Sequence, residues 1–317
     1  MPKPKLLITR RVYDPVLQSL SGVFDIGHNQ DRDEPFTRSE LIQKLADVDY
    51  LLCSVVDRID EEILAAAPKL KCIANGAVGT NNIDLKACSA RGIVVTNTPD
   101  VLTETTADFA WALLMATARR LTEAEHYLRQ GHWRGWSFDQ LAGVDVHGTT
   151  LGILGMGRIG SAIARRAQGF GMSVVYHNRR PASDASLARY VEKEALFKSA
   201  DFVVLVVPYS PETHHIVGAG ELSLMKPSAC LINIARGGVV DDKALVQALS
   251  TGTIRAAGLD VFEGEPALDP GFLELSNVVL TPHIASSTRA TRGAMMQLAA
   301  DNLLAHAQGQ ALLTPVI

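Results

Sequence analysis

Three polar side chains in the C-terminal half stand where apolar runs give way to loops. They are Arg236 in Ile232-Asn-Ile-Ala-Arg-Gly-Gly238, Glu265 in Asp260-Val-Phe-Glu-Gly-Glu-Pro266 and His283 in Leu280-Thr-Pro-His-Ile-Ala-Ser286. Together they fit reduction of a ketone. Adding a hydride to a carbonyl carbon builds negative charge on oxygen, and imidazole is the side chain suited to hand over a proton there near neutral pH. A carboxylate on the other ring nitrogen would fix the tautomer and favour the protonated ring, a role that falls to Glu265. Arg236 can bind a substrate carboxylate and polarise the C2 oxygen. Taken singly, each has a plainer reading: a satisfied core histidine, a surface carboxylate beside Pro266, a helix-flanking charge. Their joint occurrence at successive strand ends, downstream of a glycine-rich turn, favours the chemical reading.

That turn is Leu151-Gly-Ile-Leu-Gly-Met-Gly-Arg-Ile-Gly160, a GxGxxG pattern at Gly155, Gly157 and Gly160 between an apolar strand and the helical run 161–168. Gly155 would turn tightly, Gly157 would let backbone approach a pyrophosphate, and Gly160 would let helix pack on strand. The phosphates would sit at the helix N-terminus, beside Arg158 and Ile159, where free N–H groups and the positive end of the dipole point. A carboxylate about 20 residues on would bind the ribose 2′-OH of NAD and repel a 2′-phosphate. Asn178 stands there instead, followed by Arg179 and Arg180, whose guanidinium groups suit a phosphate in charge and fork geometry. NADP (NADPH) is therefore preferred, with NAD still possible if the two arginines only line a solvated loop.

Elements must exist to position these groups. Apolar runs at 6–8, 50–54, 72–74 and 93–96 alternate with helical segments, and a helix is expected over 103–120, with Thr103 as N-cap, bridging two domains. Strands are expected at 150–154, 173–177, 202–207, 229–234, 256–261 and 278–281. The amphipathic segment 287–307 has no further strand to pair with and should return to the first domain. The expectation is α/β: two doubly wound parallel-sheet domains, a Rossmann NAD(P) domain (101–285) and a flavodoxin-like substrate domain (1–100 plus 286–317), with the active site in the cleft between them.

Composition narrows the class. The chain has 317 residues, 47% hydrophobic, with formal net charge −4. No basic field draws it toward nucleic acid or an anionic membrane, and no signal or spanning segment is present, so a cytoplasmic protein without nucleic-acid or membrane partners is expected. Cys53, Cys72, Cys88 and Cys230 lack CxxC spacing and read as reduced core thiols; no metal site is expected.

At this point the chain resembles the D-isomer-specific 2-hydroxyacid dehydrogenases, of the glyoxylate/hydroxypyruvate reductase or 2-ketogluconate reductase type. Besides the motifs above, the resemblance rests on Gly76-Ala-Val-Gly-Thr-Asn-Asn-Ile-Asp84, Thr98-Pro-Asp-Val-Leu-Thr-Glu-Thr-Thr-Ala107 and Gly258-Leu-Asp-Val-Phe262, in the family's order along nearly the whole length. It implies that Arg236, Glu265 and His283 are the catalytic trio and that N–H groups around Val78 and Gly79 bind the substrate carboxylate with Arg236 and His283. It implies cofactor contacts at Val207, Pro208, Thr213, Ile234, Asp260 and Ala285, with Asp260 near the nicotinamide amide. It also implies a homodimer formed through the long bridging helix. Asn81 departs from the aspartate common in the family, at a position that is normally structural. Trp133, Trp136 and Phe138 fit packing across a dimer better than a reach into the partner's site, and Leu52 to Val56 could line the substrate pocket. Formate dehydrogenases carry glutamine where Glu265 stands, and no regulatory domain is expected after Ile317. The expected reaction is NADPH-dependent reduction of glyoxylate, hydroxypyruvate or 2-ketogluconate to the D-2-hydroxy acid. Two alternatives stay open: an NAD-linked D-lactate or phosphoglycerate dehydrogenase, and a nucleotide-sensing, corepressor-like binding protein.

Overall fold

A computed structural model describes residues 2–28, 31, 33–183 and 186–317. In chain order its elements are β1 (Lys5–Ile8), α1 (Asp14–Ser21), β2 (Asp25–His28), α2 (Arg38–Leu45), β3 (Tyr50–Cys53), α3 (Glu61–Ala65), β4 (Cys72–Asn75), α4 (Leu85–Ala90), β5 (Val94–Thr96), α5 (Thr103–Ala118) and α6 (Leu121–Arg129). There follow β6 (Thr150–Leu154), α7 (Arg158–Ala167), β7 (Ser173–His177), β8 (Arg189–Tyr190), α8 (Lys193–Ser199), β9 (Phe202–Leu205), α9 (Ala219–Leu224), β10 (Cys230–Asn233), α10 (Asp242–Ser250), β11 (Ala256–Leu259), β12 (Val278–Leu280) and α11 (Arg289–Ala307). The chain divides into two compact units, Met1–Leu102 with Ser287–Ile317, and Thr103–Ser286.

The first unit carries a five-stranded sheet in the order β2-β1-β3-β4-β5, every pair parallel. Period-two alternation sends Leu6, Ile8, Tyr50 and Leu52 to one face and Leu7 and Leu51 to the other. The first face is covered by α1 and by α11, whose Ala299, Ala300 and Leu303 join its core, so small residues let the last helix lie close on the strands. Buried Asn302 secures the chain end: its carbonyl accepts the Leu313 and Thr314 N–H groups, and its amide donates to Leu298 O and Thr314 Oγ1.

The second unit carries a seven-stranded parallel sheet, β12-β11-β10-β9-β6-β7-β8. Strands β9, β10 and β11 are buried at every residue, as strands covered on both faces require, and only Asn233 at the end of β10 is polar. Helices α5 and α7 cover one face, where Trp111 donates its indole N–H to Ile163 O at 3.2 Å and stacks on Phe170 at 4.5 Å. Helices α8, α9 and α10 cover the other. Helix α5 spends Ala107, Ala110, Trp111, Leu113 and Leu114 on this core and begins at Thr103 itself, which is its first helical residue.

Two strands escaped the sequence reading. β2 has mostly exposed residues and pairs only with β1, and β8 is a two-residue edge strand; neither needs an apolar run. Several central strands end one or two residues earlier than expected, because their apolar runs continue into the loops that carry the polar residues.

Candidate active site

Arg236, Glu265 and His283 all lie in the second unit, just beyond the C-terminal ends of β10, β11 and β12. They meet in one chain of hydrogen bonds. His283 Nδ1 lies 2.8 Å from Glu265 Oε2, and Arg236 donates to His283 Nε2 at 3.2 Å. Glu265 Oε1 accepts the Phe262 N–H at 2.9 Å, so each carboxylate oxygen has a partner. Guanidinium can only donate, so in this arrangement Nε2 accepts and the ring proton sits on Nδ1, facing Glu265. Delivering a proton from Nε2 therefore requires a doubly protonated ring and an Arg236 that has turned to another acceptor.

Charge balance follows from burial and partners. Burial alone would raise the Glu265 carboxyl, but the His283 and Phe262 hydrogen bonds and the attraction of His283 and Arg236 hold it below the usual carboxylate range. Burial lowers the Arg236 guanidinium, with Glu265 opposing.

Close backbone packing brings the three loops together. A Cβ on Gly237 would stand 1.7 Å from Phe262 O, so only glycine lets the loop after β10 reach the loop carrying Glu265. His283 occupies the left-handed region at φ +55°, a conformation that costs about 1–3 kcal/mol and persists only when its surroundings enforce it. Asp260 enforces it. Fully buried, it takes the Thr281 hydroxyl (2.7 Å) and Ile284 N–H (2.8 Å) on one oxygen and the Ala285 N–H (2.8 Å) on the other, while its carbonyl accepts the His283 N–H (2.9 Å). Its carboxyl is raised by burial, which these hydrogen bonds and His283 oppose. The resemblance placed Asp260 among the cofactor contacts; in the fold its carboxylate also holds the histidine loop.

The glycine turn has the shape a dinucleotide needs. Gly155 sits at φ +108°, and a Cβ on Gly160 would stand 2.3 Å from Gly155 O, whereas one on Gly157 would meet nothing within 4 Å. Gly157 and the first turn of α7, with Arg158 and Ile159, thus leave open space where a pyrophosphate would lie, and the residues fit a dinucleotide. Asn178, at the end of β7, clamps the turn: its carbonyl accepts the Met156 N–H at 2.6 Å and its amide donates to Met156 O at 3.2 Å. Arg179 and Arg180 follow, exposed. Past β9, Thr213 turns its hydroxyl inward, donating to Pro208 O at 2.8 Å and accepting the Ser210 N–H at 2.7 Å, which closes the loop after Val207. Ile234 and Ala285 are buried beside Arg236 and His283 in sequence.

In the first unit, Val78 and Gly79 follow β4, and their carbonyl oxygens accept from the amides of Asn97 and Asn75, both at 2.8 Å. The four cysteines are free and buried, and burial raises each thiol, Cys72 and Cys230 to about 12 and Cys88 to about 11. Among the described residues no helix is long and apolar enough to cross a membrane.

A parallel sheet with a dinucleotide turn and a histidine–carboxylate–arginine group at its strand ends defines an oxidoreductase, and residues 111–285 match the model of the D-isomer specific 2-hydroxyacid dehydrogenase, NAD binding domain. The chain belongs to the D-isomer specific 2-hydroxyacid dehydrogenase family. It is 48% identical over 315 residues to a glyoxylate reductase of Thermococcus onnurineus (strain NA1), covering 97% of this chain and 94% of that protein. The crystal structure of an NADPH-dependent glyoxylate/hydroxypyruvate reductase from Sinorhizobium meliloti, in complex with NADP and malonate, superposes with a TM-score of 0.89 at 39% identity, covering 99% of this chain and 97% of that one. A protein from Thermus thermophilus gives a TM-score of 0.91 at 42% identity, covering 99% of this chain and 100% of that one.

Proposed function

We propose that this enzyme reduces a small 2-oxo acid to the D-2-hydroxy acid with NADPH in preference to NADH, with glyoxylate, hydroxypyruvate and 2-ketogluconate as the candidate substrates. The observation that carries the reading is the chain of hydrogen bonds from Glu265 through His283 to Arg236. The cofactor supplies the hydride that adds to C2. Arg236 binds the substrate carboxylate, a stronger acceptor than an imidazole nitrogen, and in doing so leaves His283 Nε2. His283, protonated on both nitrogens and braced by Glu265, gives its Nε2 proton to the oxygen on which charge develops. Arg179 and Arg180 receive the 2′-phosphate, and the uncharged Asn178 does not repel it. The NADP in the Sinorhizobium relative and the activity of the Thermococcus one support the choice of cofactor and substrate class.

The reading extends to assembly. Helix α6 buries none of its residues, and Leu121, Leu128, Trp133, Trp136 and Phe138 are exposed, the last two at 74% and 93%. A second copy of the chain would cover this surface, giving a homodimer in the cytoplasm. The covering would fall on α6 and the segment after it, since α5 has its apolar face buried in its own unit.

The test is steady-state reduction of the three acids with NADPH and then NADH, followed by loss of nicotinamide absorbance. Turnover with NADPH supports the reading, a preference for NADH overturns the cofactor choice, and silence with both overturns the enzyme assignment. His283→Ala should lower kcat by about 10²–10⁴-fold while NADPH binding stays within about twofold. Equal losses in both would remove His283 from the proton path.

A further inference from the structure

A second cluster of ligating side chains lies outside the catalytic trio. His214 and His215, in the loop after β9, and Glu263, in the loop after β11, each present a ligand atom, and all three atoms lie within 4.8 Å of one another. Consecutive side chains on extended backbone point to opposite sides. Here His215 sits at φ +50°, and the two imidazoles stack with centroids 3.9 Å apart and planes 25° from parallel. The strained residue is held by its own N–H, donating to Gly238 O at 2.8 Å. The opposing loop is held by the Glu263 N–H, which donates to Asp242 Oδ2 at 2.9 Å. Both ligand-bearing segments are thus pinned by backbone hydrogen bonds while the side chains reach the surface.

We propose that His214, His215 and Glu263 form a binding site for a transition-metal dication of the Zn²⁺ type. Two imidazoles and a carboxylate are a donor set for Zn²⁺, Ni²⁺ or Cu²⁺, whereas Mg²⁺ and Ca²⁺ take oxygen ligands. Zinc bonds nitrogen and oxygen at about 2.0–2.2 Å, so two ligand atoms on a tetrahedral ion lie about 3.3–3.6 Å apart, and side-chain rotations that unstack the two imidazoles would close the cluster from 4.8 Å. His215 Nε2 already faces Glu263 Oε2 at 3.0 Å, and the ion would take the place of the hydrogen between them. The Tyr209 hydroxyl lies 3.3 Å from His214 Nδ1 and would orient that ring for binding through Nε2, as partners of metal-ligating histidines do. Three protein ligands leave a tetrahedral ion one position for water.

The experiment is calorimetric titration of chelator-treated, thiol-reduced protein with ZnCl₂, and with MgCl₂ as comparison. Micromolar binding of one Zn²⁺ per chain is expected, with no heat from Mg²⁺, and His214→Ala and Glu263→Gln should each weaken it by about tenfold or more. Unchanged far-ultraviolet circular dichroism would show that both variants are folded. Absence of Zn²⁺ binding at millimolar metal would overturn the proposal, as would binding that both variants leave intact, since the ion would then sit elsewhere. Because the readout is heat and stoichiometry, the outcome is independent of whether the chain reduces 2-oxo acids.

Discussion

Glu265 and Asn178 each do with one side chain what the linear motif could not display. Glu265 is held below the usual carboxylate range, so it stays charged through the working pH and keeps a negative charge against His283. Removing that charge withdraws support from the protonated ring. In Glu265→Gln kcat for 2-oxo acid reduction should therefore fall about tenfold or more while NADPH binding stays within about twofold; an unchanged kcat would show that the carboxylate does not act through His283. Asn178 uses an amide where both halves count, one accepting from and one donating to Met156. Asn178→Asp keeps the acceptor, loses the donor and sets a charge against Met156 O. Leaving that carbonyl without its partner costs roughly 1–3 kcal/mol. NADPH affinity, measured by nicotinamide fluorescence, should fall about tenfold; an unchanged Kd would mean that the clamp does not shape the turn.

At the scale of elements, the site is made where strands end and loops lean on each other. Gly237 against Phe262 joins two loops, and Asp242, the first residue of α10, adds a second contact by accepting the Glu263 N–H. Burial raises the Asp242 carboxyl to about 6 despite that hydrogen bond, with Glu263, Asp269 and Asp241 adding repulsion. The folded protein thus holds this proton more tightly than the unfolded chain. Its contribution to stability is complete below the unfolded value near 3.8, is lost as pH rises toward about 6, and is absent above. Asp242→Asn keeps an acceptor for Glu263 and carries no charge. It should be more stable than wild type by roughly 1–2 kcal/mol at pH 8, with the gain shrinking below pH 5, as thermal unfolding at the two pH values would show. A gain of the same size at both would point to packing.

For the whole molecule, exposed apolar surface concentrates on α6 and the segment after it, where Trp136 and Phe138 meet edge to face at 4.7 Å. Replacing both with glutamate should shift a dimer to monomer by sedimentation velocity, without lowering the unfolding temperature of the remaining fold by more than a few degrees. A wild-type monomer, or a variant that stays dimeric, would refute this surface as the interface.

Much of the architecture was legible in the residues. Apolar runs such as 202–205 and 229–232, recurring between helical segments, suit covered parallel strands, and GxGxxG between strand and helix marks a nucleotide turn. The trio, too, could be named from residue types at strand ends. Periodicity carries no signal for β2 and β8, since an exposed edge strand needs no apolar run. What spacing could not convey was who holds whom: that Arg236 rests on the Nε2 edge of His283, that Asp260 braces the histidine loop, and that Asn178 clamps a turn 22 residues earlier. The same blindness hid the approach of His214 and His215 to Glu263, some 48 residues on. Chain pattern determines which segments become strands and helices because burial and backbone hydrogen bonding act locally and periodically. Hydrogen-bond partners far apart in sequence are decided only when the loops pack, because direction and distance at the ångström scale have no period to read.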